Sequence, residues 1–221
     1  MSRVIKNNGL SIVLFLIFVV TLAGQFFAGW KVHNESELQH GRPPVSAAEY
    51  IAEPHFLEAV FENWESEFLQ MAAYVIFTIF LFQKGSSESK QPDTIERVDV
   101  IVESSKDDPE MPWPVRRGGF ALKLYEHSLS LVLLALFAMS FGFHAVSGAR
   151  QYSSEQAEHG GPPVTTVEFM GTPTFWFESF QNWQSEFLSV GVIVVLSIFL
   201  RQRGSPESKP VDTPHSSTGS D

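Results

Sequence analysis

The sequence predicts an all-α membrane protein, a bundle of four transmembrane helices built from two tandem two-helix repeats in parallel orientation. The first observation is a repeated motif: NWESEFL at Asn63–Leu69 returns as NWQSEFL at Asn182–Leu188, 119 residues later. The second is that this single offset relates the two halves of the chain without a gap, from 8/127 to 93/212. The third is that the hydrophobic residues are concentrated in four runs, which is unlike the even spread of a soluble core.

Four predicted spans follow from these runs, at about 10–30, 64–83, 128–148 and 183–201. The first and third contain no Asp, Glu, Lys or Arg, and each is long enough to cross about 30 Å of hydrocarbon as a helix. The second and fourth have shorter apolar runs. They cross the membrane only if each helix also uses the NWxSE segment that precedes its apolar run.

The domain organisation is predicted from these spans and from changes in composition. The linker is polar and charged, apart from an apolar stretch at 98–102 that suits a short strand, and the tail is rich in Ser, Pro and Asp. The predicted segments are a first membrane repeat at 1–90, a cytoplasmic linker at 91–119, a second membrane repeat at 120–209 and a disordered tail at 210–221.

The basic residues predict the orientation, because Lys and Arg near span ends favour the cytoplasmic side. With both termini and the linker inside, all but three of the 15 Lys and Arg residues are inside; the exceptions are Lys31, Arg42 and Arg150. The formal net charge of −10 then lies on the outer face. Such a face would concentrate cations and disfavour nucleic acid, but ordinary solvation of an exposed face is the favoured explanation, because an acidic balance alone speaks to solubility. The absence of cysteine excludes disulfides and thiolate metal sites.

Each outer loop is predicted to contain a short helix that follows a proline turn. Two adjacent prolines in each loop cannot continue a helix; they are Pro43, Pro44, Pro162 and Pro163. Capping-box spacing follows each pair and predicts a helix start, through Ser46 with Glu49 and through Thr165 with Glu168. The next helix in each half should begin at Pro54 or Pro173, since proline suits the first helical position.

The NWxSEFL motif is predicted to be structural. Its Asn and Trp residues are Asn63, Trp64, Asn182 and Trp183. Aromatic side chains beside a span are typical of an interfacial belt. A surface for a protein partner would look similar.

Polar residues at one level of the predicted spans form a candidate intramembrane site. With a rise of about 1.5 Å per residue, Gln25 and Glu67 lie roughly 22 and 25 Å above the cytoplasmic ends. The second half places His144 and Glu186 at the same level, with Gln70 and Ser189 about one turn deeper. Pairing of Gln25 with Glu67 and of His144 with Glu186 would create a proton or cation site between the repeats. The alternatives are hydrogen bonds that hold helices together, or contact with interfacial water.

Two histidines of the outer turns, His40 and His159, are candidate metal ligands because His with carboxylate binds zinc and related metals. Their spacing matches no closed ligand set, and a hydrogen-bonded loop histidine is the alternative. The sequence contains no phosphate loop, nucleophile elbow or HExxH motif, so an enzyme is disfavoured. No cofactor is indicated.

Several motifs in fixed order carry a resemblance to a known family. They are NGLS at Asn8–Ser11, the HGxPPV turn, NWxSEFL and the exit motif that reads GSPESK in the second half. Together they resemble an uncharacterised family of small bacterial membrane proteins, a domain of unknown function. The match covers roughly 1–93 and 120–212, and departs where the second half begins HSLS. The resemblance implies an integral bacterial membrane protein and carries no activity or ligand. The predicted location is the bacterial cytoplasmic (inner) membrane, with both termini in the cytoplasm.

These observations favour a structural or accessory membrane protein of unknown biochemical activity. The expected partners are the lipid bilayer and either further copies of the chain or another membrane protein, with no nucleic acid. The first alternative is a small cation or proton conduit that uses the paired carboxylates. The second is a metal-dependent membrane enzyme.

Overall fold

The computed structural model describes residues 3–101 and 108–219, and these residues form helices, turns and loops with no strand. The α-helices in these ranges are α1 (Arg3–Gln39), α2 (Ala47–Tyr50), α3 (Pro54–Phe80), α4 (Trp113–Arg117), α5 (Gly119–Glu126), α6 (Ser128–Glu158), α7 (Thr166–Met170) and α8 (Pro173–Phe199). The predicted all-α class is confirmed.

The linker contains a 3₁₀ helix at Arg97–Asp99, where the sequence suggested a strand. That suggestion is wrong for 98–101, and Val102 lies outside the described residues. The apolar side chains of this stretch are exposed, so no neighbouring strand covers them. The carboxylate of Asp99 instead accepts a hydrogen bond from the backbone N–H of Glu96 at 3.1 Å, which closes the turn.

The long helices extend beyond the predicted spans at their polar ends. α1 runs for 37 residues and leaves helical geometry at Asn8, whose φ and ψ are −129° and 16°. The Asn8 side chain donates to the carbonyl oxygen of Val4 at 3.1 Å. α3 and α8 are each 27 residues long and begin at the predicted prolines, Pro54 and Pro173, where the missing N–H costs no helical hydrogen bond.

α3 and α8 end at Phe80 and Phe199, earlier than the predicted boundaries at 83 and 201. The reason lies in the serine-rich exit motifs. The backbone N–H of Gln83 donates to Ser89 Oγ, and that of Gln202 donates to Ser208 Oγ, each at 2.9 Å. Because a side-chain hydroxyl accepts each bond, the chain leaves helical geometry without losing a partner for that amide.

The chain divides into two compact units. Unit 1 contains Met1–Phe61 and Phe143–Thr172, and unit 2 contains Glu62–Gly142 and Pro173–Asp221. Each unit therefore combines segments from both halves of the sequence.

Glycine positions the buried aromatic residues of unit 1. Tyr50 and Phe169 are 1% and 0% exposed. A Cβ atom at Gly29 would lie 2.5 Å from the Tyr50 hydroxyl oxygen, and a Cβ atom at Gly148 would lie 2.5 Å from Cε1 of Phe169. Only glycine allows each ring to lie this close to a long helix. The short helices α2 and α7 are thereby seated on α1 and α6.

The core of unit 2 forms around Phe175, which is fully buried. Its ring meets that of Phe141 edge to face, with centroids 5.4 Å apart. Ala72 and Leu133 are also buried. Edge-to-face pairs of this kind contribute about 0.5–1.5 kcal/mol beyond burial of their area.

Candidate functional site

Both predicted capping boxes are present in the structure. The backbone N–H of Ser46 donates to Glu49 Oε2 at 2.8 Å, and the N–H of Glu49 donates to Ser46 Oγ at 3.3 Å. Thr165 and Glu168 repeat the arrangement at 2.7 and 3.3 Å. These hydrogen bonds hold the pKa of both glutamates below the ordinary value. The carboxylates of Glu49 and Glu168 therefore serve as helix caps.

The proline turns are anchored by residues that sequence reasoning missed. We name the segments that follow α1 and α6 the first cap (41–53) and the second cap (160–172). Asn34 Nδ2 donates to the carbonyl of Val45 at 3.0 Å, and Asn34 Oδ1 accepts the Val45 N–H at 2.8 Å. At the position 119 residues later, Ser153 Oγ accepts the N–H of Val164 at 3.0 Å. The only sequence signal was a small polar residue at both positions.

The prolines lie in these extended turns between helices. Pro43, Pro44, Pro162 and Pro163 all precede the short helices, outside any helical segment. This matches the predicted role of the prolines as helix breakers.

The candidate metal ligands His40 and His159 lie just after the ends of α1 and α6. Nδ1 of His40 is 2.8 Å from the carbonyl oxygen of Ser36, and Nδ1 of His159 is 3.0 Å from that of Glu155. Each ring thus bonds a carbonyl one turn earlier, in the manner of a helix C-cap. Metal binding by these two histidines stays a prediction.

A salt-bridge network lies beside His40. The guanidinium of Arg42 donates to Glu37 and to Glu158, with contacts of 2.6 Å to each. Hydrogen bonding to these carboxylates raises the pKa of Arg42 above its ordinary value. Nε2 of His40 lies 3.4 Å from Glu158 Oε2. The end of α1 and the end of α6 are therefore tied within unit 1.

In unit 2 the NWxSE motifs join α3 to α8. The side-chain amide of Asn182 donates to the carboxylate of Glu62, and Gln181 Nε2 donates to the same carboxylate at 3.4 Å. The indole N–H of Trp183 donates to Glu65 Oε1 at 2.9 Å, and Glu65 is fully buried. Two acids that were not predicted site residues, Glu62 and Glu65, thus form polar contacts between these helices.

The two copies of the motif share one local contact. The backbone carbonyl of Asn63 accepts a hydrogen bond from Ser66 Oγ at 2.7 Å, and that of Asn182 accepts one from Ser185 Oγ at 2.8 Å. Trp64 and Trp183 are both half-buried. In the second copy, Asn182 Nδ2 also donates to the carbonyl of Glu178 at 3.1 Å.

Four of the six residues of the candidate intramembrane site lie in unit 2. Glu67 is exposed and Glu186 is half-buried, and the two carboxylates are close enough for their charges to interact. Gln70 is half-buried on α3. Ser189 is exposed and donates to the carbonyl of Glu186 at 2.8 Å. The structure thus brings the two glutamates near each other.

The other two residues of that site lie in unit 1. Gln25 is exposed on α1, and His144 is fully buried on α6. A carboxylate oxygen of Glu58 and a ring nitrogen of His144 lie within 4.8 Å of each other. Glu58 was not among the predicted site residues. The predicted pairings of Gln25 with Glu67 and of His144 with Glu186 stay predictions.

The exit motifs of the two halves meet in unit 2. Ser86 Oγ lies 2.9 Å from Ser197 Oγ on α8, and Ser87 Oγ donates to the carbonyl of Glu207 at 3.2 Å. The predicted disordered tail contains hydrogen-bonded turns in its described part, 210–219. Its Gly219 N–H donates to the carbonyl of Ser86 at 2.9 Å. The tail therefore lies against the exit of the first half.

The ammonium group of Lys209 is the centre of this contact. Lys209 is 1% exposed, and its Nζ lies 2.5 Å from the carbonyl oxygen of Gly85. Three more carbonyls, those of Ser217, His215 and Pro214, accept at 2.9, 3.2 and 3.4 Å. Burial lowers the pKa of Lys209, and the charge of Arg201 acts in the same direction. The backbone carbonyls offset part of this cost because they solvate the ammonium.

An open cavity of about 1030 Å³ lies beside the first exit motif in unit 2. Residues of both charge signs line it, among them Glu88, Lys90, Asp99, Glu126 and His127. Lys90 Nζ and Asp99 Oδ1 form an ion pair at 2.5 Å. This pair neutralises one acid and one base of the lining, and Glu88, Glu96 and Glu126 leave the rest of the lining acidic.

The long apolar helices define the class of protein. Within the described residues, α1, α6 and α8 are each long and apolar enough to cross a membrane, so the chain has the helices of an integral membrane protein. The chain matches the model of a domain of unknown function, DUF6766, over residues 1–220, and it belongs to that family. Comparison with curated proteins and with solved structures gave no significant match.

Proposed function

We propose that this protein is a multi-pass membrane protein with a structural or accessory role, in which α3 is a fourth span. α3 has the same length as α8, and its second half, 68–80, is uncharged. Four spans place both termini on the same side of the membrane. The distribution of Lys and Arg favours the cytoplasmic side of a bacterial inner membrane.

We propose further that the two halves are tandem copies of one two-helix unit. The supporting observation is that the bounds of α3 and α8 differ by the same 119 residues that relate the sequence motifs. Both copies would then cross the bilayer in the same sense, because each contains an even number of spans.

The contacts of Glu62 and Glu65 are the observation that carries the structural role. Both carboxylates lie on the membrane-proximal part of α3, and both are hydrogen-bonded to side chains of α8. Polar contacts between membrane helices stabilise packing by about 0.6 kcal/mol on average and about 1.7 kcal/mol at most. Carboxylates with such hydrogen bonds hold helices together, and this favours a structural role over a catalytic or transport role.

A structural protein of this kind acts by binding other membrane components. The apolar window of α1 has no buried residue, so lipid or another apolar helix must cover it. We propose that the occupant besides lipid is a second copy of the chain or another membrane protein. The acidic balance of the chain disfavours nucleic acid.

The test is purification in mild detergent followed by native mass spectrometry and a proton-flux assay in liposomes. The expected result is a defined oligomer or a stoichiometric protein partner, with no flux above protein-free liposomes. A monomer without any partner that conducts protons would overturn the proposal.

A second candidate function, a proton or cation conduit, is favoured by the interaction of Glu67 with Glu186 in unit 2. Two carboxylates near one another share protons more readily than isolated ones. The double variant E67Q/E186Q should abolish flux, whereas the control E49Q/E168Q removes the same charge from the caps and should not. Equal flux in both double variants would eliminate this candidate.

A further inference from the structure

Two histidines and a tyrosine from three different helices meet at the first cap. The Tyr50 hydroxyl on α2 lies 2.8 Å from Nδ1 of His55 on α3. The imidazole of His33 on α1 has its centroid 5.4 Å from that of His55 and 5.5 Å from the Tyr50 ring. The position of the first cap against α1 and α3 thus depends on a hydrogen bond to an ionisable ring.

The hydroxyl of Tyr50 is buried against the backbone of α1. Tyr50 is 1% exposed, and its hydroxyl oxygen occupies the space where a side chain at Gly29 would begin. Burial raises the pKa of Tyr50 to about 12, so the phenol keeps its proton at any physiological pH. The imidazole of His55 is therefore the partner that changes charge.

The second cap has a matching pair of rings without histidine. At the positions 119 residues later, Tyr152, Phe169 and Thr174 stand where His33, Tyr50 and His55 stand in the first half. Tyr152 and Phe169 have centroids 5.5 Å apart, as His33 and Tyr50 do. The second cap is therefore an internal control that lacks the histidines.

We propose that His33, Tyr50 and His55 form a proton-binding site that releases the first cap from α1 and α3 when the pH falls. Protonation of His55 places a charge in a half-buried site beside a second imidazole, and both ring nitrogens then carry a proton. A released cap hydrates that charge more fully than the half-buried site of the closed cap does.

Acidic groups from each packed element surround the site and modify its response. They are Glu37 on α1, Glu53 between α2 and α3, and Glu155 on α6, whose charges interact with His33, Tyr50 and His55 respectively. Glu37 is held by Arg42 at 2.6 Å. Glu155 favours the protonated form of His55, but burial is the larger effect and lowers the pKa of His55.

The direction of the pH dependence follows from that lowered pKa. An imidazole in the released cap has an ordinary pKa of about 6.5 and binds a proton more tightly than the closed cap does. The contribution of His55 to closure is therefore complete above about pH 6.5 and is lost as the pH falls through the pKa of the closed form.

The experiment is hydrogen–deuterium exchange of the purified full-length protein in detergent, from pH 7.5 down to 5. Protection factors, corrected for intrinsic exchange, are compared between 41–53 and 160–172 of the same molecule. The first cap should open more as the pH falls, by up to about tenfold per pH unit below about 6.5. The second cap should not.

The control variants use the residues of the second half. H55T should abolish the acid-dependent opening, and H33Y should reduce it because the neighbouring imidazole is lost. Unchanged protection of the second cap at pH 7.5 shows that a variant is folded, and H55Q replaces H55T if it is not. The proposal is overturned if both wild-type caps respond alike, or if the response survives in a folded His55 variant.

Discussion

The ammonium group of Lys209 donates to the carbonyl oxygen of Gly85 at 2.5 Å, across 124 residues of sequence. This contact ties the end of the second half to the exit of the first. Lys90 occupies the position 119 residues earlier and forms an ion pair with Asp99 instead. Two lysines in equivalent sequence positions therefore have unequal roles, and this difference leads to the first prediction.

Replacement of Lys209 should release the tail. K209A removes the ammonium donor from four backbone carbonyls, of which that of Pro214 still accepts the Ser217 N–H. Unsatisfied buried acceptors destabilise the closed arrangement. Carboxypeptidase should therefore shorten the tail of K209A faster than that of the wild type, whereas K90A should digest like the wild type. Methylammonium should restore protection of K209A, because a small ammonium ion can occupy the vacated site. Equal digestion of K209A and wild type would contradict the role of this lysine.

Gly85 and Gly204 offer a matched pair for a test of the same contact. Both have positive φ angles, +90° and +89°, but a Cβ atom at Gly85 would lie 2.6 Å from the carbonyl oxygen of His215, whereas nothing lies within 4 Å at Gly204. Alanine should cost about 1–2 kcal/mol of backbone strain at either position. Only G85A should also expose the tail to carboxypeptidase, and equal exposure in both variants would argue against the docked tail.

The indole of Trp183 should stabilise the α3–α8 contact through its N–H. W183F keeps an aromatic ring but removes the donor to the buried Glu65 carboxylate, which should lower the free energy of unfolding by about 1–3 kcal/mol. The control is W113F, at an exposed tryptophan, which should change it by less than about 0.5 kcal/mol. Denaturant titration in detergent, followed by circular dichroism, measures both. If W183F lowers the free energy of unfolding as little as W113F does, the hydrogen bond to Glu65 does not stabilise the contact between α3 and α8.

Single cysteines test whether α3 crosses the membrane. The chain has no native cysteine, and Ala48 and Ser216 are exposed. With four spans, A48C should react with a membrane-impermeant maleimide in intact cells, and S216C should react only after permeabilisation. If only α1, α6 and α8 cross, positions 48 and 216 lie on the same side, and both variants react in intact cells.

Local spacing was enough to predict the features that depend on neighbouring residues. The capping boxes of Ser46 and Thr165 involve a residue three positions away, and the starts of α3 and α8 follow from the preference of proline for the first helical turn. These signals act within one turn of helix. They can therefore be recognised in the sequence without knowledge of how the helices pack.

Long-range contacts could not be predicted in this way. The bond from Trp183 to Glu65 depends on the rotation of two helices about their axes, which a residue pattern leaves undetermined. The tail was predicted to be disordered from its polar composition, yet Lys209 finds its partners among backbone carbonyls, which no side-chain composition reveals. The Tyr50 site likewise depends on the approach of α2 to Gly29.

The hydrogen bond between Gln181 and Glu62 depends on a difference between the two halves of the sequence. Gln181 stands at the position that Glu62 occupies 119 residues earlier, and Gln184 likewise corresponds to Glu65. Glutamate at both positions would set like charges against one another, whereas an amide can donate to an acid. The contact between α3 and α8 thus has a complementarity that two identical segments could not achieve.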